Sequence, residues 1–257
     1  MERAISSKDK VLDNNYPLME KLRERAPGTF SHSKNVASML TQVAAAIDIP
    51  EDNLVIAGFY HDIGKIVVPQ MFTENQITGE ESGHKILPVR ASMRYITAHI
   101  GDTARILVND ANMPPEIIRW CTQHHGTAVA PYFYAKARKE NPEVNIDNFR
   151  YPGPRPECLE AALLMICDIL EATSRSKDQA GKLEDVGDLV EGVISRLVED
   201  EQLDAVTFNF AQIRIIKEVL KKHLAREHHK RIDYDEEASE ALAVAPKKKK
   251  KPSIPEE

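Results

Sequence analysis

The stretch LVIAGFYHDIGK, residues 54–65, joins an apolar helical run to a charged turn. Leu54, Ile56, Ala57 and Phe59 carry a helix that Pro50 opens from a first-turn position. The helix therefore delivers His61 and Asp62, side by side, to the end of an otherwise apolar element, with Ile63, Gly64 and Lys65 following. A histidine and an aspartate placed there are costly unless something answers their polarity.

Working outward, helical spacing dominates. Residues 12–25 read as a polar, amphipathic helix that ends at the breaker pair Pro27-Gly28. Thr29 or Ser31 caps the next helix, which runs to about Ile47 with Val36, Leu40, Val43 and Ile47 on one face. Residues 67–85, rich in Pro, Gly, Asn, Ser and Thr, read as a long loop beside the HDIGK turn. Two helices are expected over 87–98 and 102–109, one from Pro114-Pro115 toward His124, and one over 132–139. Prolines at 142, 152, 154 and 156 mark a loop. Residues 157–175 form the most apolar helix, and 183–198 and 210–232 complete the set. The last of these places Ile213, Ile216, Val219, Leu220 and Leu224 on one face. With no alternating strand pairs and no internal repeat, the chain reads as an all-α helical bundle over residues 1–235. Residues 236–257 turn acidic and alanine-rich and end in PKKKKKPSIPEE, which reads as a disordered, solvated tail.

A chain of 257 residues buries a sizeable core. Its net charge of -6 argues against a nucleic-acid polymer as partner but not against a small anion, because bound metal ions supply local positive charge. Three cysteines without CxxC spacing, and an N-terminus lacking a secretory signal, fit a reducing cytoplasm. No window approaches the roughly 18 consecutive apolar residues of a membrane span, so the chain reads as soluble unless it is one part of a larger anchored protein.

The nine histidines are not scattered. His32 lies on the helix before His61-Asp62, His99 on a later one, the doublet His124-His125 at the end of another, and Asp168 inside the most apolar helix. Imidazole and carboxylate together suit divalent transition ions, with Mn or Fe in the permitted set. Five histidines and two aspartates exceed what one ion takes from a protein. Two ions about 3.5–4 Å apart, bridged by one carboxylate, use such a set and suit hydrolysis at phosphorus. Asp62 is the bridging candidate, since His61 and Asp62 reach two ions from one helix end.

The arrangement resembles the HD-domain phosphohydrolase superfamily, which is all-α. APGTFSHS around His32, FYHDIGK, FTENQ at 72–76, QHHGT at 123–127, YFYAKA at 132–137, FRYPGP at 149–154 and CDILEATSRS around Asp168 narrow the resemblance. It is to the cytoplasmic catalytic domain of seven-transmembrane HD proteins that hydrolyse cyclic di-AMP to pApA, and it spans roughly residues 9–235. The resemblance implies metal ligands at His32, His61, Asp62, His99, His124, His125 and Asp168, and catalysis through metal-activated hydroxide. Two departures stand out. Ser31 replaces a second histidine often seen before the first ligand, and Ser82-Gly83-His84 replaces Asn-Pro-His. After His124-His125 comes GTAVAPYF rather than the Gly-Tyr-Pro of the cyclic-di-GMP-cleaving branch.

Around the ligands, Lys65 is a catalytic and phosphate-contacting candidate, and Tyr151 and Arg150 are candidates for stacking and phosphate clamping. His84 and Arg175 complete the substrate-side candidates, whereas Ser33 and Ser174 suit supporting hydrogen bonds rather than nucleophilic roles. Three readings follow. The first is a cyclic-dinucleotide phosphodiesterase, the second a nucleotidase or other phosphomonoesterase on the same metals, and the third a non-catalytic nucleotide-binding signalling domain.

Overall fold

Among the described residues four α-helices begin on proline, whose missing N–H loses nothing in a first turn. Pro17, Pro27, Pro115 and Pro131 each occupy an opening position, and none of these helices has a side-chain cap. A computed structural model of the chain describes residues 11–13, 15–76, 83–182 and 185–244, with side chains as far as residue 229. The α-helices are α1 (Pro17–Arg25), α2 (Pro27–Ile47), α3 (Asp52–Tyr60), α4 (Val89–Asn109) and α5 (Pro115–Gln123). They continue as α6 (Pro131–Glu140), α7 (Leu159–Gln179), α8 (Val186–Glu199) and α9 (Phe210–Val244). Among the described residues there is no strand, only an isolated antiparallel bridge between Val129 and Arg150, so the all-α expectation holds. No helix among these residues is long and apolar enough to cross a membrane.

Proline accounts for most differences from the expected boundaries. α1 starts at Pro17, not at Leu12, because the residue before a proline is driven out of the helical region, and Tyr16 is extended at φ −66° and ψ 127°. Pro27 does not break the chain but starts α2, with Ala26 alone separating it from α1, so Thr29 and Ser31 lie inside the helix instead of capping it. Pro50 stands just outside Glu51, the N-cap of α3. The two helices expected over 87–98 and 102–109 are one, α4. Gly101 faces outward with nothing near it, and burial of Ile100, Thr103, Ile106 and Leu107 outweighs its weak helix propensity, about 1 kcal/mol. A 3-10 helix over Ile63–Val67 leads into the expected loop at 67–85, which holds single 3-10 turns at Pro69–Met71, Thr73–Asn75 and Gly83–Lys85. α9 continues in backbone to Val244, past the boundary placed at 235, and the lysine run lies outside the described residues.

The core forms where α2 meets α3, α7 and α9, with α5 closing the far side of α3 and α7. Val36, Leu40 and Val43 of α2, Leu54 and Ala57 of α3, and Leu163, Leu164 and Leu170 of α7 are sealed from solvent. Residues 161–168 of α7 are buried without a break, as befits a helix covered on every side, and Asp168 is among them. A second, smaller cluster of Met93, Ala130, Phe133, Ala137 and Phe149 lies between α4 and α6.

Two close approaches set the site. A Cβ at Gly64 would fall 2.1 Å from the His99 carbonyl oxygen and 2.6 Å from the Thr103 amide, so only glycine lets α4 cross the turn that follows His61-Asp62. The Thr103 hydroxyl fastens this crossing: it accepts from Gly64 N at 2.9 Å and donates to the His61 carbonyl at 3.1 Å. A Cβ at Gly28 would meet the Glu74 carbonyl oxygen at 1.8 Å, which seats the Thr73–Asn75 turn on the start of α2. Elsewhere Gln202, fully buried between α8 and α9, accepts from Thr127 N at 2.9 Å and donates to the Thr127 hydroxyl at 3.0 Å and the Asp200 carbonyl at 2.9 Å. This pins the turn that follows His124-His125.

Gly64→Ala is expected to lower the unfolding free energy by about 1–3 kcal/mol, seen as a lower urea midpoint. An unchanged midpoint would mean that α4 does not rest on this turn. Gln202→Ala strips the half-buried Thr127 amide of its acceptor and is expected to remove about 1–3 kcal/mol. Gln202→Glu retains an acceptor oxygen, so it should lose less; equal losses would contradict the assigned role of that oxygen.

Candidate metal centre

Two of the site's histidines are the caps of their helices. His61 ends α3 and His124 ends α5, where the last carbonyls have no partner within the helix. The imidazoles take up these carbonyls. His61 Nδ1 donates to the Gly58 oxygen at 2.9 Å and His124 Nδ1 to the Cys121 oxygen at 2.6 Å. His99 lies within α4, and its Nδ1 donates to the Ile96 carbonyl one turn earlier. A carbonyl can only accept, so Nδ1 carries a proton, and each ring, once neutral, turns its Nε2 lone pair inward.

Those lone pairs converge on Asp62. Its Oδ2 lies 3.3 Å from His61 Nε2 and 3.7 Å from His32 Nε2, whereas Oδ1 lies 3.2 Å from His99 Nε2 and 3.6 Å from His124 Nε2. Asp168 spans the cluster as well, with Oδ1 3.0 Å from His32 Nε2 and Oδ2 3.6 Å from His125 Nδ1. The donor atoms fall into two groups, each within 4.8 Å across: His32, His61, Asp62 and Asp168, and Asp62, His99, His124 and His125. All seven ligands expected from the sequence are thus brought together, and Asp62 belongs to both groups. Among the described residues, Asp62 Oδ1, His99 Nε2 and His124 Nε2 have no hydrogen-bond partner despite full burial. Inward-facing lone pairs without donors are what a divalent cation fits.

The charges agree. Burial opposes ionisation of Asp62, but the charges of Lys65 and His61 hold it well below the usual carboxylate range. Burial likewise opposes ionisation of Asp168, and hydrogen bonds from His32 and His61 hold it down. Burial works against protonated His61 too, yet Asp62 and Asp168 push its pKa up to about 10. His125, buried next to His124, is held well below its ordinary value. The carboxylates therefore draw positive charge into the cluster, and metal binding would displace the protons.

The substrate-side candidates separate. Lys65 reaches the cluster: its Nζ lies 2.7 Å from Asp62 Oδ2 and 2.8 Å from Glu74 Oε1, and both anions raise its pKa against the effect of burial. Tyr151 also reaches it, stacking on His125 with ring centroids 4.2 Å apart at 25°. Arg150 does not. Its guanidinium grips Asp200 at 2.8 and 3.0 Å and the Thr127 carbonyl at 2.8 Å, so it tethers the ligand-bearing turn from behind. His84 is turned away as well, its Nε2 donating to the Met71 carbonyl at 2.7 Å. Arg175 stands 3.4 Å from Glu171 and reaches the site through it alone.

Glu171 and Glu74 were not picked out from the sequence. Glu171 lies one turn after Asp168 on α7, and its carboxylate accepts from His32 Nδ1. That spacing was available as a signal. Glu74 sits in the FTENQ segment, where it also accepts from the Thr29 hydroxyl at 3.2 Å.

Comparison with known proteins agrees with this geometry. The profile of the HD domain family matches residues 29–173, a span that holds all seven candidate ligands. The cyclic-di-AMP phosphodiesterase PgpH of Listeria monocytogenes is 35% identical over 87% of this chain and 31% of its own length. The protein of the same name from Bacillus subtilis is 33% identical over 86% of this chain and 31% of its own. The chain thus spans under a third of the length of these relatives. A crystal structure of the L. monocytogenes PgpH HD domain in complex with cyclic-di-AMP has a TM-score of 0.75 at 35% identity, covering 83% of this chain and 98% of that one. The chain belongs to the HD domain family.

Proposed function

We propose that this chain is a metal-dependent phosphodiesterase that hydrolyses cyclic di-AMP to linear pApA at a dinuclear centre of two divalent transition ions, Mn or Fe. The observation that carries the reading is Asp62, which turns one carboxylate oxygen to each of the two donor groups. His32, His61 and Asp168 would complete one position, and His99, His124 and His125 the other. Two such ions, when bound, lower the pKa of a water and offset charge on phosphoryl oxygens. One water is consumed: its hydroxyl adds to a phosphorus, the bond from that phosphorus to the 3′ oxygen breaks, and the 3′ oxygen takes up the water's other proton.

The chain's own groups fit this task. Lys65 holds a positive charge against the cluster edge, where phosphate oxygens need one. Tyr151 presents an aromatic wall beside His125, suited to a flat base and to keeping His125 in place. The relatives named for cyclic-di-AMP cleavage support the choice of substrate. A reducing cytoplasm is the compartment in this reading, in keeping with free Cys121, Cys158 and Cys167.

Purified protein loaded with Mn or Fe is expected to release pApA from cyclic di-AMP far faster than it turns over cyclic di-GMP or mononucleotides. Preference for a mononucleotide would make it a phosphomonoesterase, and tight binding without turnover under either metal would make it a binding domain. Asp62→Ala is expected to lose metal content and to cut turnover by at least about 10³-fold, since it removes the ligand common to both positions. Retained activity in that variant would refute the site.

A further inference from the structure

The imidazoles of the cluster are not held alike. His61, His99 and His124 give their Nδ1 protons to backbone carbonyls of Gly58, Ile96 and Cys121, which are neutral acceptors. His32 gives its proton to a carboxylate, that of Glu171. Glu171 is only 3% exposed and is itself fixed, since its Oε1 accepts from Asn35 Nδ2 at 3.1 Å, one turn along α2 from His32. An anion accepting from one ring nitrogen raises the basicity of the other and strengthens it as a ligand.

The carboxylates are unevenly shared as well. The group of His32 and His61 includes Asp62 and Asp168, whereas the group of His99, His124 and His125 has Asp62 alone. Attraction for a divalent cation follows this negative charge. Lys65, beside Asp62 Oδ2, acts in the opposite sense, but Glu74 at 2.8 Å answers its charge. His125 is also the least enclosed ligand, with 16% of its side chain exposed against 0–2% for His32 and His61.

We propose that Glu171, acting through His32, makes the position of His32, His61, Asp62 and Asp168 the tighter of two metal positions. The position of His99, His124 and His125 is then the weaker and exchangeable one. Glu171 touches neither metal nor substrate, so it is a positioning residue. The proposal rests on the dinuclear reading above and is independent of the substrate.

The test titrates the metal-stripped full chain with Mn²⁺ by calorimetry, with no nucleotide present. The unaltered protein is expected to bind in two unequal steps. Glu171→Gln is expected to weaken the tighter step about 10- to 100-fold and to leave the weaker step in place. Equal weakening of both steps, or no change in either, overturns the role of Glu171. A single step with two ions per chain overturns this proposal alone, whereas a single step with one ion per chain overturns the dinuclear reading as well, while leaving open which phosphoester is cleaved. Asn35→Ala removes the amide that fixes Glu171 and should weaken the same step to a smaller degree. Should Glu171→Gln fail to fold by circular dichroism, Asn35→Ala carries the test, and an unaltered tight step there overturns the proposal.

Discussion

Two carboxylates, Asp62 and Asp168, sit among apolar helices at 1% and 5% exposure, and much of the molecule is arranged around that fact. An ionised carboxylate without compensation in such a place costs several kcal/mol. The compensation comes from helices distant in sequence: His32 from α2, His61 from the end of α3, His99 from α4, and the His124-His125 pair from the end of α5. His32 and His61 are held toward their protonated forms by the carboxylates, and Lys65 adds a whole positive charge. Pulling any one of these helices away would leave negative charge buried without an answer, so the site binds the bundle together as much as the bundle builds the site.

The orientation of the rings comes from backbone chemistry. Helix ends leave carbonyls without partners, and at the ends of α3 and α5 an imidazole Nδ1–H supplies the missing donor. One hydrogen bond thereby satisfies a helix terminus, selects the tautomer and aims the lone pair. The position of a histidine relative to its helix end thus fixes where its ligand atom points.

The helical class was legible from residue type and spacing, and so was the set of seven side chains that the fold gathers into one cluster. Helix starts were less so: Pro27 carries the same letter whether it halts one helix or opens the next, and the choice lies in how α1 and α2 pack. The break expected between residues 98 and 102 likewise gives way to the buried face of α4, which runs through Gly101. Arg150, between prolines and next to Tyr151, read as a phosphate clamp, but its partner Asp200 lies 50 positions away, and no local pattern announces it. Gln202 was invisible for the same reason, being 75 positions from Thr127, as was Thr103, 39 positions from Gly64. Glu171 was the readable omission, since a carboxylate one turn from Asp168 shares its helix face.

The clasp of Gln202 on Thr127 bears on where this structural unit ends. The family match stops at residue 173, within α7, and every ligand precedes that point. Yet the turn carrying His124 and His125 is held by Gln202 directly and by Asp200 through Arg150, both in the connection between α8 and α9. A fragment trimmed to the matched segment would keep all seven donors and lose the fastening of the turn that carries two of them. The smallest piece of this chain able to hold the histidine-aspartate cluster in shape is therefore longer than the span by which the family is recognised.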